Sequence, residues 1–137
     1  MEADRVKKVL ELLSVFTGGG VIYALIEIVF RGYTHWSMVI VGGLAVLCLY
    51  LLSAMREKVW KKWIMGTAVI LAIEFVSGII LNMLLGWRVW DYSRYRFNLY
   101  GQICLPFALC WLALCIPGNA LCALVREKVF NRKSSGN

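Results

Sequence analysis

The sequence predicts an all-α, polytopic membrane protein of four transmembrane helices with both termini cytoplasmic. Hydrophobic residues make up 61% of the 137-residue chain and charged residues only 17%, and the mean hydropathy is +0.71. The charges are also clustered, falling between four long apolar runs. Soluble domains are typically about 45–50% apolar and about 25% charged. A soluble fold of this size would lack the polar side chains needed to cover its surface.

A bilayer core of about 30 Å takes about 20 mostly apolar helical residues. The first such run, 12–30, holds one ionisable residue, Glu27. The second, 38–55, holds none; the third, 63–86, holds Glu74 alone; the fourth, 103–125, again holds none. The runs are continuously apolar, without the alternation of membrane barrel strands, so helices are predicted. The whole chain, 1–137, reads as one domain with short connections: a tight turn at 32–37, a basic loop at 56–62 and a longer segment at 87–100. Pro117-Gly118 leaves two readings of the fourth run: a kinked span, or a span that stops near Ile116 and is followed by an interfacial helix. The tail from Lys133 to Asn137 is polar and expected to fray.

Orientation follows from the basic residues, which accumulate in short cytoplasmic loops. Arg5, Lys7 and Lys8, then Arg56, Lys58, Lys61 and Lys62, then Arg126, Lys128, Arg132 and Lys133 fall on one side of a four-span chain. Only Arg31, Arg88, Arg94 and Arg96 fall on the other. Both termini are therefore placed in the cytoplasm of a cell bounded by a plasma or inner membrane. A basic collar at span ends accounts for the net charge of +7 without a nucleic-acid partner. Glu11 interrupts the first apolar stretch, which continues past Gly18-Gly19-Gly20, so it reads as an uncleaved span. Arg-Glu-Lys-Val occurs at 56–59 and 126–129, a hint of a weak 2+2 helix repeat.

Chemistry is sparse. The five cysteines are odd in number, show no CxxC spacing and lie in the spans, so packing thiols are expected rather than disulfides or zinc. One histidine, His35, excludes a multi-histidine metal site, and no P-loop or nucleophile elbow occurs. The chain is read as no enzyme, with no metal and no cofactor.

The intramembrane carboxylates are the sharpest signals, because a carboxylate within a span costs about 2.5–3.5 kcal/mol on insertion scales. Gly20, Ala24, Glu27 and Arg31 share one stripe of the first helix, and Glu27 can reach Arg31. Glu74, Gly78 and Asn82 form a small, polar stripe on the third, where Glu74 has no cation of its own. Such a carboxyl suits proton coupling or a cationic ligand; interhelical glue is the alternative for both. On the far side, Trp90, Asp91 and Tyr92 lie in an aromatic segment with Asn98 and Gln102, and His35 lies among Tyr33 and Trp36. An interfacial aromatic belt explains these; a cation site built from ring faces and Asp91 is the other reading. The glycines of the spans are assigned mainly to close helix packing.

The stretches Tyr23-x-x-x-Glu27, Arg31 to Met38, Glu74, Trp87-x-x-Trp90-Asp91-Tyr92-Ser93 and Asn98-x-x-Gly101-Gln102-Ile103-Cys104-Leu105 resemble the type IV ABC-transporter, or CmpB-like, family over about residues 18–113. The resemblance implies an integral membrane protein acting as a permease-like subunit, with ATP hydrolysis supplied by a separate subunit and several copies or other membrane subunits completing the pathway. In architecture alone the chain is also similar to the small four-helix multidrug transporters, which place a Glu in the first span near aromatics. Two further functions stay open: a self-contained proton-coupled exporter of cations working as a parallel oligomer, and a non-transporting scaffold or regulatory subunit. Glu27, Arg31, His35, Glu74, Asn82, Trp90, Asp91, Tyr92, Asn98 and Gln102 are the candidate pathway or ligand residues.

Overall fold

The computed structural model describes residues 1–130. The tail residues Arg132 and Lys133 to Asn137 lie outside them. Among the described residues four helices are long and apolar enough to cross a membrane: α1 (Glu2–Arg31), α2 (Trp36–Ser53), α3 (Val59–Gly78) with a π-helical extension over Ile79–Leu84, and α4 (Leu105–Lys128). α1 outruns its apolar stretch by ten residues at the N-terminal end. Its first turn carries Glu2 and Asp4, which complement the positive end of the helix dipole, so the polar arm continues as helix. Gly32 closes α1 in the left-handed region at φ 83° with its N–H on the Ile28 carbonyl, a conformation that glycine adopts without strain.

α2 starts and stops two residues earlier than its apolar run. His35 is the reason at the start: it sits extended and its Nδ1 accepts from the Ser37 N–H at 3.2 Å, a cap that the hydrophobicity pattern does not reveal. At the other end the chain leaves the helix after Ser53, whose carbonyl is taken by two cations described below. α4 runs unbroken through Pro117 to Lys128, so no separate interfacial helix forms. The two Arg-Glu-Lys-Val copies differ in setting: the first bridges α2 and α3, while the second closes α4.

α2, α3 and α4 pack on one another, whereas α1 makes close backbone contact with α2 alone among the described elements. Glycine makes the α1–α2 seam possible. A Cβ on Gly42 would stand 2.6 Å from the Tyr23 Cβ, and one on Gly43 would stand 2.7 Å from the Phe16 carbonyl oxygen. Backbones this close gain dispersion contact that lipid chains cannot supply. The buried residues of α3 (Lys62, Gly66, Ile70, Glu74, Gly78) are spaced four apart along one stripe, and Gly20, Ala24 and Glu27 of α1 share a stripe as well, with Glu11 buried farther round that helix. Most large apolar side chains of α1 face outward, Phe30 and Val29 among them, where a bilayer would solvate them.

Candidate functional site

The two spanning carboxylates are both buried, Glu27 at 7% exposure and Glu74 at 6%. Their surroundings differ. Glu27 keeps the partner its spacing implies: the Arg31 guanidinium lies 3.4 Å from Oε2, and Thr34 Oγ1 donates to Oε1 at 2.6 Å. Arg31 spends its other nitrogen on the Val89 carbonyl at 2.9 Å, tying α1 to the long 85–104 connection. Glu74 has no basic side chain within ion-pair distance among the described residues. Instead the Tyr92 phenol donates to Oε1 at 2.9 Å and the Trp111 indole N–H approaches Oε2 at 3.3 Å.

An aromatic cluster surrounds Glu74. Tyr92 stacks on Phe107 with ring centroids 4.8 Å apart, and Tyr23 stacks on Trp111 at 5.7 Å. Tyr23 stands within electrostatic reach of both Glu27 and Glu74, so a line of rings on α1, α4 and the connection joins the two carboxylates. Gly42 makes room for Tyr23. Burial pushes the Tyr92 phenol well above the usual tyrosine range, which keeps it a donor toward Glu74.

Tyr92 reaches Glu74 because the connection folds back onto the bundle. The π turn exchanges the α pattern for longer bonds, Leu85 N–H to the Ile80 carbonyl at 3.0 Å and Trp87 N–H to the Leu81 carbonyl at 2.9 Å. It presents Asn82 to the returning chain. Asn82 Oδ1 accepts from the Val89 N–H at 2.6 Å and the Trp90 N–H at 3.3 Å, and its Nδ2 donates to Gln102 Oε1 at 2.8 Å. The Trp90 indole donates to the Gln102 carbonyl at 3.0 Å. Gln102 packs over Gly78, where a Cβ would collide with its side chain. Arg88, Phe97 and Tyr100 take positive φ, strain of about 1–3 kcal/mol each that this web of bonds holds in place.

The remaining candidates stand elsewhere. Asp91 is exposed and accepts from the Ser93 N–H at 2.9 Å; that bond holds its carboxyl below the usual range. Asn98 does not pair with Gln102: it donates to the Ser93 and Tyr95 carbonyls and accepts from the Gly101 N–H, which makes it a turn residue. His35 caps α2 and packs beside Trp36 and Trp87. Asp91 and Asn98 thus meet at Ser93 and Gly101, while Gln102 turns to Asn82 and the Tyr100 carbonyl. Trp111 was not singled out in the sequence. It lies 37 residues from Glu74, and no spacing rule joins an indole on one helix to a carboxyl on another.

The chain matches the family model described as "Putative ABC-transporter type IV" over residues 11–134. It belongs to that family. The description is of an ABC-transporter component, and four apolar helices fit a multi-pass membrane member of it. No curated protein and no solved structure matches the chain. The matched stretch holds all ten candidate residues as well as Tyr23 and Trp111.

Proposed function

We propose that this type IV family member is a permease-like subunit of an ABC transporter and that its solute passes the Glu74 cluster. Glu74 carries the reading: it is a carboxylate within a span, met by a phenol and an indole and, among the described residues, by no basic group. Ionisable groups at such depth mark solute or proton routes by default. The rings of Tyr23, Tyr92 and Trp111 offer faces to a positively charged solute, with Glu74 as its counter-charge. Glu27, already neutralised by Arg31, stands at the α1 end of the same line of rings.

A lone four-helix bundle has little room for a water-filled path, so several copies or other membrane subunits complete it. A separate ATPase subunit supplies ATP hydrolysis. By the positive-inside rule the end bearing the termini faces the cytoplasm of a plasma or inner membrane.

Affinity purification in mild detergent with mass spectrometry tests the assembly. A stoichiometric ATPase supports the subunit reading; a discrete oligomer of this chain alone overturns it and favours the self-contained exporter. Glu74→Gln tests the route: solute flux falls while assembly persists. Unchanged flux removes Glu74 from the path, and unchanged partner recovery with no flux in the wild type favours a scaffold.

A further inference from the structure

At the end opposite the Tyr92 connection, all four helices bury polar groups against one another. Glu11 of α1 takes the Tyr50 hydroxyl of α2 and stands 3.7 Å from Lys8. Lys62 of α3 and Arg126 of α4 are only 3% and 4% exposed. Both point at one atom, the Ser53 carbonyl oxygen, at 3.0 Å from Lys62 Nζ and 2.9 Å from Arg126 Nη2. Their nitrogens thus lie within about 6 Å of each other. Arg126 Nε is buried with no acceptor among the described residues.

The charges do not balance. Two buried cations share one neutral carbonyl; among the described residues the carboxylates nearby are Glu11, engaged by Tyr50 and Lys8, and Glu57, which pairs with Lys61 at the surface and reaches Lys62 only through its field. Burying a cation is costly unless an anion compensates it, and here the missing component is an acceptor with negative charge and several oxygens. A guanidinium and an ammonium side by side suit a phosphate group. The pair sits between helices at the basic end of the spans, where anionic headgroups are captured in membrane proteins.

We propose that Lys62 and Arg126 form a binding site for a phosphate group, supplied by an anionic phospholipid of the adjoining leaflet. The phosphate adds acceptors to Lys62 Nζ and to Arg126 Nε and so pins α3 and α4 to the end of α2. This site is separate from the Glu74 cluster, and its test does not depend on transport.

The test is thermal unfolding of the full chain in a neutral detergent with graded phosphatidylglycerol, phosphatidylcholine or inorganic phosphate. Phosphatidylglycerol is expected to raise the Tm saturably and phosphatidylcholine to do so far less. An equal rise with inorganic phosphate keeps the phosphate site and makes its source soluble. No rise with either anion overturns the proposal. Lys62→Met with Arg126→Met is expected to weaken the apparent affinity at least about tenfold, whereas Lys61→Met with Lys128→Met removes the same formal charge from exposed positions and should leave it unchanged. If the exposed pair costs as much as the buried pair, diffuse surface charge explains the shift and the site is refuted. Arg126→Lys, which keeps the charge and loses Nε, guards against a buried double variant that fails to fold: it is expected to weaken binding partially, and full affinity in it counts against the Nε contact.

Discussion

The hydroxyl of Tyr92, in the connection between α3 and α4, donates to Glu74 Oε1 at 2.9 Å, so a residue outside the spans closes the hydrogen bonding of a carboxyl inside one. Removing that hydroxyl in Tyr92→Phe leaves a buried acceptor short of a donor, which costs about 1–3 kcal/mol. Thermal unfolding in detergent should register the loss. In a double-mutant cycle with Glu74→Leu, which has no acceptor, the two effects should fall short of additive, since both remove the same bond. Full additivity would show that the pair does not interact.

Asn82 is the anchor of the connection. Asn82→Leu strips the Val89 and Trp90 N–H groups and Gln102 of their partner, for a loss of about 1–3 kcal/mol. The damage should be local: hydrogen exchange rises across residues 85–104 while α1 and α2 keep their protection. Uniform loss of protection would show the anchor to be global.

Two helix glycines, one inside the α1–α2 seam and one outside it, should respond oppositely. Gly42→Ala drives a Cβ to 2.6 Å from the Tyr23 Cβ, an overpacking that costs about 1–3 kcal/mol and displaces Tyr23 from Trp111. Gly18→Ala meets nothing within 4 Å and should be neutral or stabilising by up to about 1 kcal/mol through helix propensity. Tryptophan fluorescence with unfolding curves distinguishes the two.

The turn at Asp91 fixes a pH dependence. Its carboxyl titrates below the usual value because it accepts from the Ser93 N–H; the ordinary value is about 3.9. A depressed folded value stabilises the turn above the unfolded value and loses that effect as pH falls through the folded one. The Ser93 amide should therefore keep its protection factor from pH 8 to pH 5 and lose it only under stronger acid, and Asp91→Asn should flatten that loss. Protection falling already near pH 6 would assign the turn to another group.

Hydropathy alone located the four helices, and helical spacing found the Glu27–Arg31 pair and the Glu74–Gly78–Asn82 stripe, because such features depend on neighbours three or four residues apart. The partners of Glu74 were legible only in part: Tyr92 appeared as an aromatic beside the spans, Trp111 not at all. Both come from chain folding back across the bundle, which no local period encodes. The same limit applies to Lys62 and Arg126. In the sequence they are two members of a basic collar; only packing reveals that they are buried and aimed at one carbonyl.

The π turn over Ile79–Leu84 makes chain length there a matter of phase. An α-helix turns about 100° for each residue and a π turn turns less, so winding Ile79–Leu84 as α at the same length would carry Asn82 around the axis, away from Val89, while Glu74 kept its place. Restoring ordinary winding at this point would therefore cost the link between the span and the connection above it.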